Sequence, residues 1–306
     1  MPLPDFTDCV TATAESTANW VGLVRHGGPF LGLSDVMPAF GDILDDAEIR
    51  AVVAYVRGFC TSSGYPIGDL NLPRPVFIEK AYPEDEAVLG LDYESACHGR
   101  AAGWETAVEK RLGARGQIEV AVPGAVFDVD EGPRVAGVGD VGVSYKHALV
   151  ADQRWRSIVS GRVAVDVPTG NRRHGVGAGT FVVSPQLLSA HDLGPLLLQT
   201  EIAAALPADT ARADRAMIYG VALQHRWGSY KKDVVTGVEL QQTQALDDVG
   251  HDATVLGPTV YLPLSRRGHV AVGLGAQFPV AGTRPYDWLL GSFLLWDFAD
   301  GPFWAW

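Results

Sequence analysis

Residues 213–246 read ADRAMIYGVALQHRWGSYKKDVVTGVELQQTQAL and contain two runs in which apolar residues occupy every second position. The apolar positions of the first run are Met217, Tyr219, Val221, Leu223 and Trp227, and those between them include Gly220, Ala222, Gln224 and Arg226. The second run alternates in the same way, with Val234, Thr236, Val238 and Leu240 on one face and Gly237, Glu239 and Gln241 on the other. A period of two predicts β-strands, and the polar turn at 228–233 joins them into an antiparallel hairpin.

The same alternation continues from about residue 86 to the end of the sequence. We therefore predict a mainly β fold, an antiparallel up-and-down barrel of about twelve strands over residues 86–306. An even strand number is typical of single-chain outer-membrane barrels. Strands of a soluble β-sandwich or a lipocalin-like barrel also alternate, with their apolar face turned inwards. Long strands favour the membrane type, as do aromatic residues near the chain end, because aromatic girdles mark both membrane interfaces: Trp288, Trp296, Phe298, Phe303, Trp304 and Trp306.

The composition is compatible with such a barrel. The chain has 306 residues, of which 35 are glycine and only 20% are charged, and this favours β-structure with tight turns. Its net charge of -12 argues against nucleic-acid binding, which needs a basic surface. The sequence has no run of 18 or more apolar residues, so it excludes a transmembrane helix but not transmembrane strands.

Residues 1–60 have a helical pattern instead. A first helix is predicted over 16–26, ending at the glycines that follow His26. A second begins at Asp45, an N-cap whose capping-box partner is Glu48. Its apolar stripe predicts one buried face: Ile49, Val52, Val53, Val56 and Phe59. Because two short helices make a thin core, we expect a disulfide, a metal or a cofactor to support them.

Two of the three cysteines, Cys9 and Cys60, enclose this helical segment and are candidates for a disulfide. Closing a loop of that size would contribute roughly 4 kcal/mol. The alternative is two unrelated buried thiols. Residues 61–85 are rich in proline and glycine, which predicts a linker. The expected organisation is thus a helical domain at 1–60, a linker at 61–85 and a barrel at 86–306.

Residues 37–60, MPAFGDILDDAEIRAVVAYVRGFC, closely resemble the C-terminal half of a small bacterial class I cytochrome c domain. In that family the methionine of the Met-Pro-Ala-Phe turn is an axial ligand of the haem iron. The resemblance implies that Met37 is a metal ligand and that Pro38 and Phe40 belong to a haem c site. A thioether ligand would raise the potential of the haem. The resemblance extends over residues 1–60, an incomplete all-α cytochrome c-like domain.

The haem-attachment motif Cys-x-x-Cys-His is absent from the sequence. Cys97 and His98 resemble its tail, but Glu94 occupies the place of the first cysteine. The N-terminus also has no recognisable export signal. We therefore expect an N-terminally truncated chain or a wrongly assigned start, with haem c attached only in the full-length protein.

The remaining polar residues suggest no catalytic centre. The eight histidines lack metal-ligand spacing, and no Ser-His-Asp or Cys-His arrangement is apparent, so we do not expect an enzyme. Charged residues on the less apolar strand face should lie in the barrel lumen, where they tune selectivity or plug the space: Arg162, Asp166, Glu201, Arg226 and Glu239.

Three functions are compatible with these patterns. The first is electron transfer by a periplasmic cytochrome c domain that the barrel anchors in the bacterial outer membrane, with membrane lipid and periplasmic redox proteins as partners. The second is an outer-membrane channel or transporter for small solutes, in which residues 1–60 are a vestige. The third is a structural barrel with neither activity. The resemblance to cytochrome c favours the first.

Overall fold

The computed structural model describes residues 5–62, 64–96, 99–129, 134–247, 251–299 and 303–304, which form three short helices followed by a closed β-barrel. The helices are α1 Cys9–Ala14, α2 Thr17–His26 and α3 Asp46–Arg57. Short 3-10 helices lie at Gly28–Leu31, Gly68–Leu70 and Arg172–His174. The strands are β1 Glu86–Ala96, β2 Gly99–Leu112, β3 Gly116–Val129, β4 Val135–Val138, β5 Val141–Asp152, β6 Ser157–Val167, β7 Val182–Asp192, β8 Leu196–Pro207, β9 Ala216–Arg226, β10 Val235–Ala245, β11 Ala253–Pro263, β12 Val270–Gly282 and β13 Trp288–Asp297.

The strands close into a ring because the first and last strands pair. Glu86 of β1 lies opposite Asp297 of β13, and Ser95 lies opposite Trp288. Both β4 and β5 pair with β3, one after the other along its length, and together they fill a single position in the ring. Every pairing is antiparallel. The ring therefore has twelve positions, and the predicted twelve-strand antiparallel barrel is confirmed.

The wall of the barrel is apolar outside and largely polar inside. Along β9, Val221 and Leu223 are exposed, whereas Ala222 and Gln224 are buried, as the alternation predicts. The exposed outer face includes Leu91, Val120, Val163, Val183, Ile202 and Leu274, and the buried inner face includes Glu109, Gln117, Lys146, Gln199, Glu201 and Glu239. An apolar exterior around a polar interior is the arrangement of outer-membrane barrels and is opposite to that of a lipocalin.

The helices lie at one end of the barrel, which we call the near rim: the end where β1 starts at Glu86 and β13 ends at Asp297. The opposite end is the far rim. Contacts between the helices and the near rim involve Phe30, whose ring meets that of Tyr230 edge to face with centroids 5.0 Å apart. The Lys232 ammonium lies 3.8 Å from the centroid of Phe30, and Lys231 N donates to Asn19 Oδ1 at 3.1 Å. None of the described helices is long and apolar enough to cross a membrane.

The helical segment corrects one prediction. The N-cap at Asp45 and its capping box with Glu48 are present, but a cytochrome c-like domain is not. The helices have 6, 10 and 12 residues and share a small apolar cluster centred on Val21, Ile49 and Val53. They pack on the near rim. Two members of the predicted apolar stripe, Val52 and Phe59, are 41% and 42% exposed. Cys9 and Cys60 are joined by a disulfide.

Candidate functional site

The centre of the molecule is occupied by residues 70–85, which we call the lumen segment. It enters the barrel at the near rim and leaves there again, since Arg111 N on β2 donates to Asp85 Oδ1 at 3.0 Å and the next residue begins β1. Its apex, Phe77 and Ile78, lies about midway along the wall. The segment is thus a re-entrant loop that fills the near half of the lumen.

Glycines in the wall receive the two side chains of the apex. A Cβ atom at Gly291 would lie 2.4 Å from Cε1 of Phe77, and one at Gly275 would lie 2.6 Å from Cε2 of the same ring. A Cβ atom at Gly220 would lie 2.6 Å from Cγ2 of Ile78. Any larger residue at these three positions would overlap the apex. We call Gly220, Gly275 and Gly291 the glycine seats.

Two wall carboxylates hold the backbone of the apex. Glu239 accepts the N–H groups of Val76 and Phe77 on its two oxygens, both at 2.8 Å. Glu201 accepts the N–H of Glu79 at 3.1 Å. Charge-assisted hydrogen bonds of this kind are stronger than those between neutral groups. Wall side chains also donate to carbonyl oxygens of the segment: Gln199 to Pro73 at 2.8 Å, Gln241 to Phe77 at 2.5 Å and Ser160 to Ala81 at 2.6 Å.

An ion-pair network surrounds the apex. Arg74 donates to Glu86 at 2.5 Å and to Glu109 at 2.7 Å, while Lys146 donates to Glu79 at 3.0 Å. Arg162 pairs with Glu119 at 2.7 Å. Oxygens of Glu79, Glu109 and Glu119 lie within 4.8 Å of one another, a spacing that also suits a metal ion. Because three cations already pair with these carboxylates, we interpret the cluster as an ion-pair network.

The two halves of the lumen differ in filling. In the near half, Leu70, Leu72, Ala81 and Tyr82 of the lumen segment join an apolar core with buried wall residues such as Ile158. In the far half, Asp92 and Glu105 are exposed although they alternate with outward-facing residues. The apex of the lumen segment therefore separates the packed near half from a far half that solvent reaches at Asp92 and Glu105.

The residues that directly precede the lumen segment link it to the helices. The backbone N–H and hydroxyl of Thr17 donate to the carboxylate of Asp69 at 2.6 and 2.5 Å. The Tyr82 hydroxyl donates to the carbonyl oxygen of Pro66 at 2.9 Å. Nearby, Arg57 Nη2 donates to the carbonyl oxygen of Glu15 at 2.6 Å. Burial lowers the pKa of the Arg57 guanidinium, and the Asp69 carboxylate opposes this shift.

The charged residues that the sequence predicted for the lumen do lie on its inner face. Glu239 and Glu201 bind the apex, and Arg162 belongs to the ion-pair network. Arg226 lies at the near rim, 3.6 Å from Asp192, and Asp166 is half-buried. Sequence reasoning missed Arg74, Glu79 and the glycine seats. The sequence signal that could have revealed Arg74 and Glu79 is the proline-rich stretch 61–85, in which charged and aromatic residues lie between the prolines.

The residues of the predicted haem site lie at the helices, far from the lumen. The carbonyl oxygen of Met37 accepts the N–H of Gly28 at 3.0 Å, and Phe40 N donates to the carbonyl oxygen of Val24 at 3.1 Å. Met37 is half-buried and Pro38 is exposed. These backbone bonds close the 32–45 loop onto α2. Cys97, His98 and Trp306 lie outside the described residues.

Comparison with known proteins identifies the fold. No protein-family model matches the chain, and no curated protein sequence matches it. Among solved structures, the COG4313 outer membrane channel from Pseudomonas putida F1 matches with a TM-score of 0.56 at 14% identity, covering 73% of this chain and 98% of that one. The KdgM porin matches with a TM-score of 0.48 at 7% identity, covering 69% and 99%. The NanC porin has a TM-score of 0.48 at 11% identity, covering 68% and 97%.

These findings overturn the cytochrome c interpretation. The solved channel structure with a TM-score of 0.56 shares the barrel of this chain, and the described helices are too few and too short for a cytochrome c domain. With Cys9 and Cys60 bonded to each other and no Cys-x-x-Cys-His in the sequence, the residues do not fit haem c. The predicted haem iron, its electron transfer and a periplasmic cytochrome domain are therefore wrong, and the expected redox partners depended on them. The fold of this chain is an outer-membrane-type β-barrel.

Proposed function

We propose that this protein is a channel for small solutes in the bacterial outer membrane, with the barrel lumen as its path. The observation that supports this proposal most directly is the closed barrel wall. Its exposed outer face is apolar, and its inner face is lined by polar and charged side chains. Such a lining is typical of barrels with a water-filled interior. The fold shared with the COG4313 outer membrane channel supports the proposal. In this role the protein lets a small solute cross the outer membrane and does not convert it chemically.

The lengths of the connections suggest the orientation. Outer-membrane barrels have short periplasmic turns and longer extracellular loops. Connections at the near rim run from three residues at 113–115 and 193–195 to eight at 227–234, whereas the far rim carries the fourteen residues of 168–181. We therefore place the near rim and the helices in the periplasm, and the apolar wall in contact with membrane lipid.

A closed structural barrel is the second candidate. It is favoured by the apolar core that the lumen segment shares with the near half of the wall. Burial of groups such as Leu70 and Tyr82, each 2% exposed, stabilises the closed arrangement. If this barrel is a channel, it conducts only when the lumen segment moves out of part of the lumen.

Planar-bilayer recording of the purified full chain tests the proposal. A channel gives discrete current steps under an applied voltage, with a low open probability because the near half is filled. The control is the same detergent and lipid preparation without protein. If neither the native protein nor the variant Gly291→Ala, which disturbs a glycine seat, gives current steps, the channel proposal fails and the structural barrel is favoured.

A further inference from the structure

We infer that the lumen segment is the gate of this channel, and that the gate opens when its apex withdraws from the glycine seats towards the near rim while the barrel strands keep their register. The inference rests on the proposed channel function. It assigns Phe77 and Ile78 as the constriction and Glu239 and Glu201 as the residues that hold it closed.

The apex is the point where the solvent-reached far half of the lumen meets the packed near half, and space continues beyond that packing at the near rim. On the far side, Asp92 and Glu105 are exposed to solvent. On the near side, a cavity of about 440 Å³ lies between the lumen segment and the rim, with charged lining residues that include Arg156, Asp192 and Arg226. Between these spaces, Phe77 and Ile78 fill the three glycine seats.

The segment is attached more weakly than the strands are to one another. Each strand shares a continuous ladder of backbone hydrogen bonds with its neighbours, so moving one strand breaks many bonds at once. The described part of the lumen segment has no strand pairing with the wall. Its backbone is held instead by separate side-chain hydrogen bonds, among them those of Glu239, Glu201 and Gln241. Release of these bonds and of the adjacent Lys146–Glu79 ion pair frees the apex without opening the barrel.

The direction of movement follows from the path of the chain. Both ends of the lumen segment leave the barrel at the near rim, one towards Asp69 and the helices, the other into β1. Withdrawal towards that rim therefore needs no threading of the chain past the wall. Movement towards the far rim would pull on Asp85, which is hydrogen-bonded to Arg111 of β2 and directly precedes the first residue of β1.

A reversible covalent lock tests the gate. In the variant Ile78→Cys/Gly220→Cys, the Cβ atom added at position 220 lies 3.3 Å from that of residue 78, close to the usual disulfide range of about 3.5–4.5 Å. The purified full chain is oxidised with diamide and recorded in planar bilayers before and after reduction. The open probability of the oxidised protein should be at least roughly tenfold below its reduced value, because the lock removes the open state. The native protein and the single variant Ile78→Cys, treated identically, control for Cys9, Cys60 and Cys97.

Each result decides between the proposals. If the oxidised double variant is locked, as judged by gel mobility with and without reductant, yet conducts as well as the reduced form, the gate inference is wrong and the channel stands. If the native, single-variant and reduced proteins all lack current, the channel proposal itself fails. A second variant, Phe77→Ala, needs no new bond: emptying two glycine seats should raise the open probability above the native value, and an unchanged value contradicts the assigned constriction.

Discussion

The ring of Phe77 lies against Gly291 so closely that a Cβ atom on this glycine would be 2.4 Å from Cε1 of the ring. Real side chains do not approach one another at this distance, so one of the two residues must move if position 291 gains a methyl group. Phe77 belongs to a loop held by side-chain contacts, whereas Gly291 lies in a strand paired on both sides. The ring is therefore the partner that yields.

We expect Gly291→Ala to destabilise the closed arrangement by about 1–3 kcal/mol, the usual range for overpacking a filled interior. The open probability in planar bilayers should rise, and the denaturant midpoint should fall. The matched control is Gly90→Ala on the neighbouring strand β1, where the nearest atom to the new methyl group is 3.7 Å away. Equal behaviour of the two variants would show that Phe77 is not seated at Gly291.

Glu239→Gln should loosen the apex without changing its shape. The carboxylate accepts two backbone N–H groups, from Val76 and Phe77, whereas an amide offers only one oxygen and turns an N–H towards the other donor. The loss of one charge-assisted bond costs about 1–3 kcal/mol. Amide hydrogen exchange at residues 76–79 should accelerate in the variant. Asp92→Asn, which removes a lumen carboxylate beyond the apex, serves as the control, and equal exchange in both variants contradicts a holding role for Glu239.

The buried ion pairs should be far more sensitive than the exposed ones. Lys146 is fully buried and donates to Glu79, so Lys146→Met leaves carboxylates without their cation at a buried site. Breaking a buried pair in this way costs about 3–5 kcal/mol. Lys110 also pairs with a carboxylate, that of Asp85, but its side chain is 60% exposed, and Lys110→Met should cost less than about 1 kcal/mol. Thermal unfolding in detergent measures both, and similar shifts would contradict the described network.

Much of the barrel was predictable because strand alternation is a local property. Once residues 216–226 and 235–245 form strands, a period of two fixes which side chains face the lumen, and this places Gln224 and Glu239 inside. The closure of the ring depends on β1 meeting β13, about 200 residues away, and no local pattern contains that pairing.

The contents of the lumen were not predictable in the same way. Residues 61–85 have the prolines and glycines of a linker, yet residues 70–85 pack inside the barrel because distant side chains such as Ser160 and Glu239 bind their backbone. The cytochrome c prediction is wrong for a related reason. A capping box at Asp45 and an apolar stripe specify where a helix starts and which of its faces is apolar. They do not specify what that face packs against.

The disulfide should stabilise the helices and leave the barrel unaffected. Cys9 and Cys60 close a loop with a sequence separation of 51 around α1, α2 and α3, and loss of such a bond typically costs about 2–4 kcal/mol. In the double variant Cys9→Ser/Cys60→Ser, limited proteolysis should cleave residues 5–62 much faster, while the strands remain protected. Unchanged cleavage would mean that contacts such as Phe30 with Tyr230 hold the helices unaided.

The outward face of the wall offers a test of the membrane itself. Val221 lies at the middle of β9 and is 40% exposed on the apolar side, where the barrel would contact the hydrocarbon core. An arginine on the lipid face costs about 2–4 kcal/mol at the bilayer midplane and about 0–1 kcal/mol near the interface. Val221→Arg should therefore destabilise the barrel in lipid vesicles much more than Gln244→Arg, whose site is exposed near the far end of β10. In a soluble barrel both arginines would be solvated and the two costs would be equal, so equal unfolding free energies would exclude the membrane-spanning arrangement on which the channel depends.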